Sequence, residues 1–220
     1  SIRTPRFAQL TRNFRFYEQL FSVSSATRPV HTSLFTGLYP FEHGILGQNS
    51  PSMRPGLADL FTLFQHKGYA VGGFSEACDI FTGLDFASWI KTSGPDITRS
   101  ARSFMQHHHG LPQYLFLHYW DAHTPYGAAD GRAYGETARL LENGQHHIVI
   151  QRYTRALEHL FDFKLTPLLS QLDLEQWCVI IFSDHGESWT LEEPYHGMTL
   201  KNSVLRVPLY VHIPRTGISP

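Results

Sequence analysis

The sequence predicts an α/β fold with a mostly parallel central sheet and helices on both of its faces. Apolar runs of strand length alternate along the chain with amphipathic segments of helical length, and this order builds parallel strands that are joined by helices. One run, residues 114–119, is apolar on both faces, as buried parallel strands are. The chain has 220 residues, which is enough for a substantial core. We therefore expect one domain over residues 1–220.

The first helix is predicted over residues 4–22, where apolar side chains recur at helical spacing from Phe7 to Tyr17. The next helix is predicted over residues 31–36. Gly37 follows it, and glycine is the residue type that most often closes a helix.

The remaining elements are predicted from the same periodicities. Helices are expected over residues 57–66, 97–108 and 150–172, the last with a bend near Pro167. Strands are expected over residues 69–74, 114–119, 177–182 and 205–213. Residues 127–144 are rich in Gly and Ala, and they are predicted to form a surface insertion.

Composition argues against several classes of function. The formal net charge is -1, so nothing favours binding to nucleic acid or to an anionic membrane surface. No stretch reaches the ~18 apolar residues that indicate a membrane span. The two cysteines are too few for a disulfide framework, and Cys178 is expected to be a buried thiol in a strand. This usage favours a reducing, cytoplasmic compartment, while the localisation otherwise stays open, as does the oligomeric state.

Polar residues follow two of the predicted strands. Residues 118–123 end one strand, and Asp184 and His185 come directly after another. Active residues collect at the carboxyl ends of strands in parallel sheets. A carboxylate beside an imidazole suits Zn²⁺ or Mn²⁺ better than Ca²⁺ or Mg²⁺, which take oxygen ligands. The alternative is that Asp184 caps a helix after its strand.

Thr27 is the candidate nucleophile. Its hydroxyl precedes Pro29, which stiffens the turn before the predicted helix. Such a hydroxyl is a weak nucleophile until a cation binds its oxygen. Ser24 and Ser25 are nearby rivals, but neither has a proline two residues later. The alternative interpretation is an ordinary turn residue.

These residues lie in four blocks of sequence, residues 27–40, 118–126, 184–187 and 196–211. The first block has Thr-x-Pro and ends in Thr-Gly-Leu-Tyr-Pro, the second reads HYWDAHTPY, the third is Asp-His-Gly-Glu, and the fourth contains Arg-Val-Pro-Leu. In content and order the blocks resemble the sulfatase and alkaline phosphatase superfamily. The resemblance implies an alkaline phosphatase-like fold. In that family a strand ending in an acidic pair precedes the first helix, so the chain is expected to be truncated and to begin after that strand.

The resemblance implies a divalent metal site. Asp184 and His185 are expected to bind the ion, which would also hold the Thr27 oxygen, so these three residues are expected to converge. Asp121 is expected either to orient a histidine or to join a second metal site.

Three histidines complete the site that the resemblance implies. His31 stands where sulfatases have an arginine, so it is expected to orient Thr27 or to contact the leaving group; the alternative is that it only caps or packs the helix. His123 is expected to hold an oxygen of the transferred group or to protonate the leaving group as a general acid. His196 is expected to be an oxyanion partner or a general acid.

Thr27 also bears on the reaction. Sulfatases convert a Cys or Ser at this position into formylglycine, and threonine cannot give that aldehyde. The resemblance therefore implies a metal-dependent hydrolase or phosphotransferase that acts on phosphate esters of a small molecule, a lipid or a sugar. A sulfate-ester hydrolase and a catalytically inactive, truncated binding domain are the alternatives.

Overall fold

The computed structural model describes residues 2–91, 97–127 and 133–214. The helices are α1 (Pro5–Leu10), α2 (Thr27–Thr36), α3 (Pro40–His43), α4 (Leu60–His66), α5 (Ile97–His107), α6 (Glu136–Glu142), α7 (His146–His159), α8 (Thr166–Leu169) and α9 (Asn202–Leu205). The strands are β1 (Arg15–Phe21), β2 (Ala70–Ser75), β3 (Ile90–Lys91), β4 (Gln113–His118), β5 (Val179–Phe182) and β6 (Arg206–His212). Two 3₁₀ turns, Cys78–Phe81 and Asp85–Trp89, lie between β2 and β3.

The chain forms two compact units. The middle unit is the continuous segment Val23–Trp120, and the terminal unit combines Ser1–Ser22 with Asp121–Pro220. Among the described residues each unit contains a three-stranded sheet.

The sheet of the middle unit is parallel, with strand order β3-β2-β4. Helices cover both of its faces. An added side chain at Gly72 would meet Phe104 of α5, and one at Gly73 would meet Phe61 of α4. Neighbouring residues of a strand point to opposite faces, so α5 and α4 lie on opposite sides of β2. The predicted α/β architecture is therefore confirmed in this unit.

The sheet of the terminal unit is antiparallel, which the sequence did not predict. Its strand order is β1-β6-β5, and β6 runs against both neighbours. A parallel pair needs a crossover connection of a dozen or more residues, which is usually an α-helix. The only described helix between β5 and β6 is the four-residue α9, and the two strands pair antiparallel.

The predicted helix over residues 4–22 is wrong in its second half. Helix α1 ends at Leu10, and residues from Arg15 to Phe21 form β1. The strand pairs with β6, and the rings of Phe16 and Tyr210 lie with their centroids 4.5 Å apart. Aromatic residues pack well on a pleated surface, and this long-range pairing overrides the helical spacing.

The helix after Thr27 is confirmed and is longer than predicted. Helix α2 begins at Thr27, and Gly37 closes it with φ 72°, while its N–H donates to the Ser33 carbonyl at 2.8 Å. The predicted helix over residues 150–172 is α7, followed by a π-helical stretch, Leu160–Leu165, and then α8. Pro167 lacks the N–H of a regular helical turn, and the wider turns before it accommodate that loss.

Two smaller predictions are wrong. The surface insertion expected over residues 127–144 contains α6, and its Leu141 is 2% exposed in the core of the terminal unit. Residues 128–132 of that segment lie outside the described residues. Cys178 is exposed because it precedes β5 and is not part of the strand.

Each unit has its own core. In the middle unit the buried core is mostly aromatic and consists of Phe35, Ile45, Met53, Phe61, Phe81, Leu84, Phe86 and Ile90. In the terminal unit a smaller cluster comprises Tyr126, Leu141, Val149 and Ala156.

Candidate functional site

In the middle unit, Thr27 is the first residue of α2 and is 3% exposed. The first N–H groups of a helix and its dipole favour an anion at this end. The neighbouring Arg28 fixes the helix start, since its Nη1 donates to the carbonyls of Ile80 and Thr82, both at 2.8 Å, and its Nη2 donates to the Ser50 carbonyl at 2.9 Å. Thr27 therefore sits on a rigidly anchored turn.

His31 lies one helical turn after Thr27 and is 3% exposed. Its Nδ1–H donates to the Thr27 carbonyl at 3.0 Å, because a carbonyl can only accept. The ring packs edge-on against Phe81 and Phe116. The His31 ring therefore packs against the core, which is one of the roles expected of it. Its hydrogen bond also holds the backbone of Thr27.

His118 is the last residue of β4 and was not assigned a role from the sequence. Its Nδ1 lies 2.7 Å from the Ser75 hydroxyl, which also accepts the Ala77 N–H at 3.0 Å. The ring centroids of His118 and His31 are 5.0 Å apart. Its position at the carboxyl end of a parallel strand is the signal that could have identified it.

In the terminal unit, Asp184 and His185 form the turn after β5. The His185 N–H donates to Asp184 Oδ1 at 3.0 Å, and His185 Nδ1–H donates to the Gly186 carbonyl at 3.0 Å. The predicted alternative of a helix cap is wrong for Asp184, because the next helix in the described part of the chain is α9, which begins at Asn202.

Gly186 allows this turn to pack closely against the start of α9. Its N–H donates to the Val204 carbonyl at 2.6 Å, and an added Cβ would lie 2.3 Å from the Ser203 carbonyl oxygen. A side chain at this position would therefore push the turn away from α9.

The side chains of Asp184 and His185 are suitable ligands for a divalent transition metal. With its proton on Nδ1, His185 carries a lone pair on Nε2, and Asp184 Oδ2 lies 3.5 Å from that nitrogen. Two atoms that bind one tetrahedral Zn²⁺ through bonds of about 2.0–2.2 Å lie about as far apart as Asp184 Oδ2 and His185 Nε2 do here. Metal-binding histidines usually donate their other N–H to a carbonyl or carboxylate, as His185 does.

His196 lies beside this turn. Its Nδ1–H donates to Glu187 Oε1 at 3.0 Å, and the Glu187 side chain is 7% exposed. The His196 ring centroid is 3.9 Å from that of His185 and 5.0 Å from that of His123. A carboxylate behind an imidazole fixes its tautomer and orientation, so Glu187 holds His196 in place.

Glu187 belongs to the Asp-His-Gly-Glu block but was not predicted as a site residue. Burial, and after it the charge of Glu187, raises the pKa of the Tyr153 phenol to about 12. The same two causes, with burial the larger, raise the pKa of the Tyr126 phenol. Both phenols therefore stay protonated around the carboxylate.

His123 is a neutral imidazole. Burial lowers the pKa of His123 to about 4, opposed by the Thr124 carbonyl and assisted by His196 and His185. Its Nδ1–H donates to the Thr124 carbonyl at 2.8 Å, so the lone pair is on Nε2. In this state His123 is better fitted to accept a proton than to donate one.

Asp121 lies in a different environment from the histidines. Its Oδ2 accepts from Lys164 Nζ at 2.5 Å, and its Oδ1 lies 3.2 Å from His159 Nδ1. Of its two expected roles, these contacts favour the orientation of a histidine, although that histidine is His159.

The two units thus group the predicted residues as follows. The terminal unit brings together Asp184, His185, His123 and His196, and the middle unit brings together Thr27 and His31. Residues that the sequence analysis missed are Glu187, His118 and Lys164.

A family model described as Sulfatase matches residues 1–217 of the chain. Curated protein sequences give no match. No helix among the described residues is both long and apolar enough to cross a membrane.

Solved structures share the fold at low sequence identity. The C-terminal periplasmic domain of the phosphoethanolamine transferase EptC from Campylobacter jejuni matches with a TM-score of 0.70 and 16% identity, over 96% of this chain and 71% of that one. A protein of glycosaminoglycan metabolism from Bacteroides thetaiotaomicron matches with a TM-score of 0.73 and 14% identity, over 97% and 60%. The phosphonate monoester hydrolase of Agrobacterium radiobacter matches with a TM-score of 0.64 and 13% identity, over 97% and 64%. The chain thus spans less than two thirds of the latter two proteins.

Proposed function

Because the chain belongs to the sulfatase family, we propose that it is a metal-dependent hydrolase or phosphotransferase that acts on phosphate esters through Thr27. The observation that carries this proposal is the residue type at the nucleophile position. Thr27 opens α2, where helix N–H groups favour an oxyanion. Threonine cannot form the formylglycine of sulfatases, whereas its hydroxyl can attack phosphorus directly.

The proposed metal ligands are Asp184 and His185, together with the Thr27 oxygen. The carboxylate and imidazole favour Zn²⁺ or Mn²⁺. When bound, such an ion would act as a Lewis acid on the threonine oxygen and on the ester. Asp121 is the weaker candidate, because Lys164 and His159 engage its carboxylate.

In the proposed reaction the Thr27 hydroxyl gives its proton to solvent, and its oxygen forms a bond to phosphorus as the bond from phosphorus to the ester oxygen breaks. The Thr27 oxygen takes a proton back from solvent when the phosphoryl group is later released. His196, oriented by Glu187, gives a proton to the departing alcohol and neutralises charge on the transferred group. His123, with its lone pair on Nε2, takes the proton of the water or alcohol that releases the phosphoryl group from Thr27. His31 is proposed to orient Thr27 through its backbone.

The two alternatives predict different behaviour. A sulfate-ester hydrolase would have to turn over sulfate esters without a formylglycine, and an inactive binding domain would turn over neither class. The fold itself does not choose between phosphate and sulfate esters, since a phosphoethanolamine transferase and a 2-O glycosaminoglycan sulfatase share it.

Paired aryl phosphate, aryl phosphodiester and aryl sulfate substrates, with Mn²⁺ or Zn²⁺ added, test the proposal. We expect turnover of a phosphate ester, partial activity in Thr27→Ser and nearly complete loss in Thr27→Val. The replacement Thr36→Val, at the last residue of the same helix, is the control and should keep activity. Faster turnover of the sulfate that survives in Thr27→Val would exclude both the nucleophile and the reaction class.

A further inference from the structure

The terminal unit contains a cavity of about 140 Å³ beside helix α7. Side chains of this helix that are spaced three and four residues apart lie on one face, and they form most of the wall. The wall includes Asp121, Tyr126, Arg152, Arg155, Ala156 and His159. The proposed reaction uses neither of the two arginines, so it does not account for the cationic face of this cavity.

Arg152 is a largely buried cation with unused hydrogen-bond donors. Its side chain is 20% exposed, and its Nη2 donates to Glu136 Oε1 at 2.9 Å. Its Nη1 is buried and has no hydrogen-bond partner in the described part of the chain. A buried donor without a partner costs free energy, and nearly all such groups in proteins find one. An acceptor that binds in the cavity beside Arg152 would remove this cost.

Arg155 lies three residues after Arg152 and lines the same cavity. Its guanidinium makes no hydrogen bond or ion pair with any residue that the structure describes. A guanidinium presents five N–H donors in a planar fork that matches the oxygen atoms of phosphate and sulfate. Two arginines with unused donors on one face of a helix therefore favour an anion with several oxygen atoms.

The carboxylate of Asp121 also lines the cavity, but cations on its other side engage it. Its Oδ2 accepts from Lys164 Nζ at 2.5 Å, and its Oδ1 lies 3.2 Å from His159 Nδ1. The second carboxylate of this cluster, that of Glu136, accepts from Arg152. Among these described groups the two arginines and the lysine outnumber the two carboxylates. An anion in the cavity therefore meets an excess of positive charge.

The volume of the cavity limits the size of its ligand. About 140 Å³ is less than the roughly 300–1,000 Å³ of sites for drug-sized ligands, and more than the roughly 30 Å³ that one water molecule takes up. We propose that Arg152 and Arg155 bind a small tetrahedral oxyanion here. The ligand is inorganic phosphate or sulfate, or a phosphate or sulfate group of a larger molecule whose remainder stays outside the cavity.

This inference does not rest on the proposed function. All residues of the cavity belong to the terminal unit, and the binding of the oxyanion requires neither Thr27 nor a metal ion. Its test can therefore fail while the proposed function stands, and the reverse also holds.

Isothermal titration calorimetry of the full chain with inorganic phosphate tests the proposal, with EDTA present so that no metal holds the ion. We expect saturable binding to the wild type, and we expect Arg152→Gln and Arg155→Gln each to weaken it about tenfold or more, because each removes hydrogen bonds to a charged group. Arg12→Gln, at an exposed position of the same unit, removes the same charge and is the matched control that should bind as the wild type does. Arg155 is exposed and has no contact of this kind to lose, so Arg155→Gln decides if Arg152→Gln does not fold.

Titration with glycerol phosphate identifies the source of the oxyanion. If the site holds a phosphate group of a larger molecule, glycerol phosphate should bind at least as tightly as inorganic phosphate, and Arg155→Gln should weaken both. If the site holds the free ion, inorganic phosphate should bind more tightly than glycerol phosphate, and Arg155→Gln should again weaken its binding.

Several outcomes would overturn the inference. Wild-type affinity in both arginine variants, or no binding to the wild type, would do so and leave the proposed function standing, since that function is tested by ester turnover with added metal. An equal loss in Arg12→Gln would show that phosphate responds to the overall charge of the chain and not to this cavity. Phosphate binding that is lost in Thr27→Val but kept in both arginine variants would assign the ion to the proposed nucleophile instead.

Discussion

Hydrogen bonds at Nδ1 orient the histidines of the candidate site. His31, His123 and His185 each donate through Nδ1 to a backbone carbonyl, so each presents the lone pair of Nε2. His196 donates through Nδ1 to a carboxylate instead. The imidazole of His196 therefore faces a carboxylate, whereas the other three imidazoles face a backbone carbonyl.

Glu193 is a buried carboxylate that ties together the loop that carries His196. It is 0% exposed and accepts from the N–H groups of Met198 and Thr199, at 3.0 and 2.8 Å, and from the Thr199 hydroxyl. Burial raises the pKa of the Glu193 carboxyl, but the hydrogen bonds outweigh burial and leave this pKa below its usual value.

A depressed folded pKa stabilises the protein above the unfolded value, about 4.3 for Glu, and the stabilisation is lost as pH falls through the folded pKa. We therefore expect Glu193→Gln to lower the free energy of unfolding at neutral pH, with a deficit that shrinks below about pH 4. Urea denaturation over a pH series measures this. Glu192→Gln is the control, since Glu192 is exposed; a deficit that did not change with pH would contradict the assignment.

His43 is a structural histidine of the middle unit with a testable pH dependence. The Ile45 N–H donates to its Nδ1 at 3.1 Å, so Nε2 carries the proton and donates to the Ser33 hydroxyl at 2.9 Å. Burial lowers the pKa of His43, against smaller opposing effects of Pro29 and Glu42. The unfolded chain therefore takes up a proton more readily, and stability decreases as pH falls below about 6.5.

We expect His43→Leu to lower the free energy of unfolding at neutral pH by about 1–3 kcal/mol, because it leaves buried polar partners unsatisfied. The variant should also lose part of the decrease in stability between neutral and mildly acidic pH. Chemical denaturation at several pH values measures both effects. His66→Leu, at an exposed position, should show neither; an equal pH slope in wild type and His43→Leu would contradict the prediction.

At the scale of elements, the sequence pattern predicted those helices and strands that depend mainly on residues close to one another in the chain. Gly37 marked the end of α2 because a left-handed residue closes a helix there, and the apolar runs marked β2, β4, β5 and β6. Strand β1 was missed because its partner β6 lies at the other end of the chain, where no local pattern reports the pairing. The Glu187–His196 contact also forms only when a loop folds back, so neighbouring residues did not predict it.

Two glycines at the ends of elements illustrate different constraints. Gly37 needs a positive φ but has space around it, while at Gly186 an added Cβ would lie 2.3 Å from the Ser203 carbonyl oxygen. We expect Gly37→Ala to cost about 1 kcal/mol, the usual penalty for a left-handed position. Gly186→Ala should cost more, about 3 kcal/mol or above, because backbone must move. Urea denaturation compares the two, and equal losses would contradict the role of Gly186 in joining the turn to α9.

At the scale of the whole molecule, no pattern in the sequence indicated the division into two units. The terminal unit takes its residues from both ends of the chain. No linker or change in composition marks the two points at which the chain passes from one unit to the other. Its antiparallel sheet also depends on pairing between residues as distant as Arg15 and Val211. The sequence could therefore predict the class of fold, while the partners of each candidate site residue depended on tertiary contacts.

The proposed function requires that the Thr27 oxygen and the Asp184 carboxylate bind one divalent ion. A double-mutant cycle on Mn²⁺ or Zn²⁺ affinity tests this. If both side chains bind one ion, the loss in Thr27→Val with Asp184→Ala should be smaller than the sum of the single losses, by about 0.5–3 kcal/mol. Once one ligand is gone, the ion is held less tightly, and the second substitution has less binding energy to remove. Glu192→Gln combined with Asp184→Ala is the control, and these losses should add within about 0.5 kcal/mol. Additive losses for Thr27 and Asp184 would show that they do not share an ion, and the nucleophile would then lack the cation that the proposed reaction requires.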